Sequence, residues 1–301
     1  MTGKIKSGGG TWFVLAAATL WGTTGTAQAL APEGAGPLAV GTMRLLIGGI
    51  GLMAITLLQG GFGRVSSWPI RLSLGAGFFM ALYQVTFFAG VSATGVAVGT
   101  IVGIGSSPVA AGFLALVFRG ERPGRRWLVA TALALSGCSL LALSGGEGVR
   151  VDILGVFLAI CAGASYAACT LLIKGMLERQ SPTPVMTVVF CLGALMLLPL
   201  LLFVDIAWIG TLHGVATVFY FGLVTAALAY WLFARGLRSV QVASAVTLTL
   251  AEPMTAGLLG LLLLGEQMNA QAYCGIGLIF CGLVLLALPV RSRYRSRDRD
   301  D

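Results

Sequence analysis

Almost the whole chain is divided into ten apolar stretches, near residues 11–30, 36–58, 70–91, 94–118, 127–145, 152–173, 183–204, 211–234, 240–264 and 270–290. A helix needs roughly 20 apolar residues to cross the hydrocarbon core of a bilayer. Each stretch is close to that length, and the breaks between them are short and polar or rich in Gly and Pro. Composition agrees, with 57% of residues hydrophobic and 10% charged, where a soluble domain carries about 25% charged. The prediction is an all-α polytopic membrane protein with ten transmembrane helices. No loop has room for a soluble module. Only residues 1–11 and a basic tail, 291–301, are expected outside the membrane domain, so any function must be carried inside the bundle.

Shifted by 145 residues, the chain matches itself without gaps. Pro108, Ala111, Gly112, Leu116, Gly120 and Glu121 fall on Pro253, Ala256, Gly257, Leu261, Gly265 and Glu266, while Trp21 falls on Tyr166, Phe88 on Phe233 and Gly137 on Gly282. The repeats run over 12–145 and 152–290, with five stretches in each. Five is an odd number of crossings, so the second repeat enters the membrane from the face opposite to the first: the repeats are inverted. Charge supports this independently. Arg119, Arg122, Arg125 and Arg126 align with Leu264, Gln267, Ala270 and Gln271, whereas Gly90 and Ala93 align with Arg235 and Arg238. Each loop is basic only in the half where inversion turns it to the cytoplasm, as the positive-inside rule requires.

The same rule fixes orientation. With the N-terminus cytoplasmic, all of the 19 Lys and Arg except Arg44 and Arg150 fall in cytoplasmic segments. This predicts a multi-pass protein of the bacterial inner membrane with both termini in the cytoplasm. The net charge of +8 then reports topology, and no nucleic-acid partner is expected. Lys4, Lys6, the first apolar run and Ala27-Gln28-Ala29 have the layout of a cleavable signal peptide. The segment is expected to be retained, because its loss would leave nine spans and break the repeat. Cys138, Cys161, Cys169, Cys191, Cys274 and Cys281 all fall in apolar stretches at spacings that suit no metal, and read as small packing residues. Neither a metal nor a cofactor is expected.

Inverted repeats build secondary transporters, in which a substrate site near the midplane lies between the repeats and rocking exposes it to each side in turn. Polar side chains within spans mark the pathway, since hydrocarbon excludes them. In the first stretch Trp21, Thr24, Gly25 and Gln28 share a helix face, and Tyr166, Cys169 and Thr170 occupy the equivalent face of the sixth. They form either facing walls of a cavity, with aromatic groups covering a ligand and polar ones orienting it, or a packing seam of small and hydroxyl residues. The third stretch adds Tyr83, Gln84 and Phe87, and the eighth adds Tyr230 and Trp231. Tyr83 lies too deep for an interfacial anchor, whereas Tyr230 is near enough to an end to be one. The fourth carries Thr100, Gly103 and Ser107 on one face, and the ninth carries Gln241, Ser244, Leu248 and Glu252. Pro108 and Pro253 follow directly and should kink both helices at mid-depth, as hinges or as static bends.

Glu252 is the acidic residue expected near the midplane, where a charge costs at least about 2.5 kcal/mol. It has three readings: contact with a cationic or amino group of the substrate, exchange of a proton that couples transport, or a protonated form bonded to a neighbouring helix. Protons are thus a candidate co-substrate. Arg44 either snorkels to the outer surface or contacts a substrate carboxylate. Glu121 and Glu266, each at a helix end after Gly, read as capping or gating groups at opposite membrane faces.

Two copies of a Pro followed at a distance by a Gly-Glu pair, Pro108 with Gly120-Glu121 and Pro253 with Gly265-Glu266, resemble the hallmark of the EamA domain. Trp21-Gly22 and Arg44 fit the same pattern. The resemblance runs over about 12–288 and is to the drug/metabolite transporter (DMT) superfamily of ten-helix proteins. Within it the chain is similar to amino-acid exporters of the YddG type, to which an aromatic cavity is suited. The resemblance implies export of amino acids, aromatic and other neutral ones favoured, or of related small metabolites, through a central cavity by alternating access. Export of another metabolite or of an amphipathic cation is the alternative. Ser107 opposite Glu252 makes the expected cavity chemically asymmetric on a symmetric scaffold.

Other classes fit less well. Ser/His catalysis or a His-ligated metal in the bilayer core has no histidine to use, because the single histidine, His213, lies at a helix start. Asp152, Asp205, Asp298, Asp300 and Asp301 lie at helix ends or in the tail, so no paired carboxylates and no catalytic residues are assigned. A non-transporting scaffold or receptor would need neither an inverted repeat nor polar stripes in both halves. A phosphate-bearing substrate would call for several cavity-facing Lys or Arg, and only Arg44 is available. The expected partners are a small-molecule substrate and the lipid bilayer, with the chain a monomer or weak dimer.

Overall fold

The computed structural model describes residues 9–63, 68–144, 152–263, 265 and 268–288. Lys4, Lys6, Arg64, Arg150, Glu266 and the tail from Arg291 lie outside them. All regular structure among the described residues is helical. Ten long helices follow the ten apolar stretches: α1 (Gly9–Ala29), α2 (Pro37–Leu58), α3 (Ile70–Thr94), α4 (Val96–Arg119), α5 (Arg125–Leu143), α6 (Ile153–Met176), α7 (Pro182–Leu197, extended by a 3₁₀ segment to Phe203), α8 (Leu212–Leu237), α9 (Val242–Leu263) and α10 (Ala270–Ala287). Among the described residues, nine are long and apolar enough to cross a membrane. The other, α1, has 21 residues, about 32 Å of helix, and is diluted by Thr, Gly and Gln. It packs along both α8 and α9, so its polar face meets protein instead of lipid.

Helix ends follow local chemistry. Pro37 and Pro182 open α2 and α7, where a missing N–H costs nothing. Asp152, Thr211 and Asn269 cap α6, α8 and α10 by accepting from the N–H groups of Gly155, Gly214 and Ala272 at 2.8, 2.9 and 2.9 Å. α4 stops at Gly120, whose φ of 63° favours glycine.

The helix pairs obey a two-fold exchange. α3 packs on α6 as α8 packs on α1, α4 on α6 as α9 on α1, and α3 on α7 as α8 on α2, while α2–α7, α4–α9 and α5–α10 map onto themselves. Swapping the halves therefore returns the principal interfaces. Close approach at the α5–α10 crossing needs glycine: a Cβ on Gly137 would lie 2.5 Å from the Gly275 carbonyl oxygen, and one on Gly275 would lie 2.7 Å from that of Gly137.

Polarity is arranged inside out. Phe113, Phe118, Phe157, Leu202 and Phe280 are exposed, whereas Gln84, Ser107, Thr170, Thr187 and Thr247 are buried, as suits a solvent of hydrocarbon. Buried hydroxyls are mostly satisfied by the carbonyl one turn back, as in Thr187 to Thr183 and Thr247 to Ala243. Others link helices, with Thr56 to Thr187 at 2.7 Å and Trp127 Nε1 to Thr247 Oγ1 at 3.0 Å.

The two expected proline kinks are not alike. α4 runs unbroken through Pro108, but α9 is interrupted at Thr249 and Leu250. Pro253 has no N–H to return to the Thr249 carbonyl. That carbonyl instead accepts from Glu252 N–H at 2.9 Å, and Leu250 N–H reaches Thr247 at 3.1 Å, so the turn tightens before the helix restarts. α8 departs from α-helical pairing too, with a π segment over Tyr220–Leu228 that packs on α2 and leads into Tyr230. Such segments mark functional regions more often than ordinary helix does.

Candidate functional site

Two connected spaces lie between the repeats. A chamber of 50 Å³ is lined by Trp21 from α1, Arg44 from α2, Tyr83 from α3, Gly103, Ile104 and Ser107 from α4, Tyr166 from α6, Tyr230 from α8, and Thr249 and Glu252 from α9. Trp21, Ile104 and Glu252 also line a vestibule of 580 Å³. The vestibule passes Thr24, Gly25, Phe87, Thr100, Cys138 and Pro253 and reaches Ala29, Ser144 and Ala272, at the end of the bundle where α1 and α5 finish and α10 begins.

The chamber walls are aromatic. Trp21 lies 4.6 Å from Tyr230, 5.4 Å from Phe233 and 6.5 Å from Tyr166 between ring centroids, and Tyr83 lies 5.5 Å from Tyr166. Tilted and edge contacts of this kind hold rings in place while leaving their polar tips free. α1 comes close enough to α9 to build this wall because Gly22 has no side chain: a Cβ there would lie 2.5 Å from Thr255 Cβ.

Four buried side-chain atoms among the described residues lack a hydrogen-bond partner, and they share one location. They are Trp21 Nε1, Thr24 Oγ1, Arg44 Nε and Tyr166 Oη, every one on a residue that lines the chamber or the vestibule. An unmet buried polar group costs about 1–3 kcal/mol, so four in one place describe a surface made for water or a ligand. Arg44 enters the chamber, with its guanidinium carbon 6.0 Å from the Tyr230 ring centroid. Of its two readings, the one in which it snorkels to the outer surface therefore does not hold. Glu252 faces it from the restart of α9. Both ion pairs among the described residues belong to Arg119, so Arg44 and Glu252 do not pair with each other.

The opposite end of the bundle is stitched shut. Arg119 donates to Glu121 at 2.9 Å and to Glu178 at 2.8 Å, joining the ends of α4 and α6. The other oxygen of Glu121 accepts from Val242 N–H at 3.0 Å and caps α9. Lys174 donates to the carbonyls of Leu237, Arg238 and Val240 between α8 and α9. Arg126 reaches the carbonyls of Leu285 and Leu288.

Trp21, Thr24, Tyr83, Phe87, Thr100, Ser107, Tyr166, Tyr230 and Glu252 thus come together around the two spaces. Other expected site residues do not join them. Gln28 donates to the Ala35 carbonyl at 2.7 Å and ties the end of α1 to the start of α2. Gln84 donates to the Gly41 carbonyl, and Trp231 turns away to Thr183 at 3.1 Å and stacks with Arg235. Thr170 is buried in packing, and Ser244 lies before the break in α9, on a different register from Glu252. Thr249, three residues before Glu252 and so on the same helix face, also lines the chamber, although the stripe read from the sequence passed through Leu248 instead. Phe233, the repeat mate of Phe88, is buried against Trp21 and lines neither space. Among the described residues no three His, Cys, Asp or Glu gather as a metal site would need.

The EamA-like transporter family matches residues 8–143 and again 153–288, two blocks set apart by the same shift that aligns the chain with itself. An uncharacterized transporter, YwfM, of Bacillus subtilis is 46% identical over 293 residues, 97% of each chain. A protein of Streptantibioticus cattleyicolor named as a probable terminal-alkyne amino-acid exporter is 25% identical over 299 residues, 95% of each chain. A crystal structure superposes with a TM-score of 0.81 over 92% of this chain and 95% of that one. At 18% identity it speaks for the fold alone.

Proposed function

Since the chain belongs to the EamA-like transporter family through both of its repeats, we propose that it exports amino acids, aromatic and other neutral ones first, by alternating access through the central cavity. The family and the relatives are transporters and not enzymes, and the chain is a multi-pass membrane protein of the DMT type. The observation that carries the finer reading is the convergence of three unmet polar atoms on an aromatic chamber, with a fourth, Thr24 Oγ1, in the vestibule beside it: a surface with rings for an apolar body and polar groups for its head. The amino-acid exporter among the relatives points the same way. The distribution of Lys and Arg supports placement in the inner membrane with both termini cytoplasmic. On that placement the vestibule opens outward and the stitched end faces the cytoplasm.

The test is efflux of radiolabelled Phe, Trp, Thr and Met from proteoliposomes, with and without a pH gradient, for wild type and Glu252→Gln. Efflux of at least one of them is expected. Efflux that a pH gradient drives and Glu252→Gln uncouples would make it proton-linked. Equal efflux under all conditions would make it a facilitator, and no efflux of any amino acid would remove the amino-acid reading.

A further inference from the structure

Arg44 and Glu252 are the charged residues of the chamber, and they leave each other unpaired. Two opposite charges sharing a ring-walled space of 50 Å³ attract each other. They stay apart because each is held from behind. Arg44 lies over Tyr230, and Glu252 is aimed by the tight turn that Pro253 imposes on α9. A carboxylate and a guanidinium facing one space with a gap between them form a negative image of a molecule that carries an ammonium and a carboxylate on neighbouring atoms.

We infer that Arg44 and Glu252 form a divided clamp for the α-amino and α-carboxylate groups of a free amino acid, with the side chain projecting past Trp21 and Ile104 into the vestibule. The inference rests on the proposed export of amino acids and adds which residues select the class, and how. Net charge is the selector. The chamber holds one charge of each sign, so a zwitterion satisfies both. An amine leaves Arg44 facing its own unmet charge in a low-dielectric site, and a simple carboxylate does the same to Glu252. The chamber has room for a head group and little more, whereas the vestibule is more than ten times larger and lined by Phe87, Ile101, Leu141 and Met268. Selection is therefore strict for the head and loose for the side chain. The unmet Nε of Arg44 and the indole N–H of Trp21 are the donors that a carboxylate in the chamber would take up.

The experiment uses the full chain in proteoliposomes and follows efflux of radiolabelled L-phenylalanine. The competitors are unlabelled L-phenylalanine, 2-phenylethylamine and 3-phenylpropanoate, which share the ring and differ in charge. For wild type, the amine and the acid should each compete at least roughly tenfold more weakly than phenylalanine, the size of one lost hydrogen bond to a charged group. Because this arm needs no variant, misfolding cannot obscure it. In the second arm, Glu252→Gln should shift preference toward 3-phenylpropanoate and Arg44→Gln toward 2-phenylethylamine, read as binding by quenching of intrinsic tryptophan fluorescence. General damage would weaken all three ligands together and could not produce opposite shifts. Equal competition by all three compounds in wild type, or parallel losses in both variants, would overturn the clamp while leaving amino-acid export standing. Absence of phenylalanine efflux together with absence of binding would remove both.

Discussion

Trp21 has three aromatic neighbours within 6.5 Å and an indole N–H with nothing to donate to. Trp21→Phe keeps most of the ring contact and deletes the unmet donor. It should hold or raise the thermal midpoint in detergent, while half-saturation for phenylalanine efflux rises about threefold to tenfold. A matched loss of stability and transport would place Trp21 in packing alone. Gln28 should behave oppositely, because its amide holds Ala35 and not a ligand. Gln28→Leu should cost about 1 kcal/mol of stability and leave half-saturation unchanged. In the sequence both residues belong to one polar stripe. The face of a helix is readable from spacing, but what stands opposite that face is a tertiary fact, and it separates Gln28 from Trp21.

At the scale of the element, α9 matters most, because its break lies directly before Glu252. Pro253→Ala restores an N–H that can reach the Thr249 carbonyl, and α9 should straighten. The tight turn that presents Glu252 to the chamber would then be lost, so efflux should fall at least about tenfold while stability is kept or improved, since a proline inside a helix costs about 3 kcal/mol. Pro108→Ala, in a helix that is already continuous, should do much less. Paired efflux and thermal-unfolding measurements on the two variants decide it. The motif shared by the repeats shows both prolines but not the asymmetry between them, because the break depends on neighbours and not on Pro alone. On α1, Gly22 and Gly25 are a similar contrast. A side chain at Gly22 would strike Thr255, whereas nothing lies within 4 Å of a Cβ on Gly25. Gly22→Leu should destabilise by about 1–3 kcal/mol, and Gly25→Ala should fold normally, both read by thermal unfolding.

For the whole molecule, the vestibule is open at one end and Arg119, Glu121, Glu178 and Lys174 close the other. Glu121→Ala removes the carboxylate that bonds both Arg119 and the first N–H of α9. A cysteine placed at Thr100 should be labelled in wild type by an impermeant thiol reagent from the vestibule face alone. Glu121→Ala should increase labelling from the opposite face severalfold, as quantified at that position by mass spectrometry. No change would mean that packing, not this network, holds the end closed. The helix count, the repeat shift and the inversion of the repeats were legible in the sequence, since apolar length and the alignment of Pro108 with Pro253 depend on chain order alone. The inward turn of Arg44 was not, because seven residues beyond Pro37 is near enough to the surface for a long side chain to go either way.

The self-mapping contacts α2–α7, α4–α9 and α5–α10 carry a consequence for how such a fold can arise. A polypeptide of only five of these helices could rebuild every one of these contacts with a second copy of itself, provided that copies inserted in both orientations. Fusion end to end removes the need for two orientations, and once each half has a fixed direction its loops are free to acquire opposite charge. Separate expression of residues 1–147 and 148–301 in one cell would then be expected to yield an associated pair recoverable by co-purification, with each fragment inserted in the single direction that its arginines dictate.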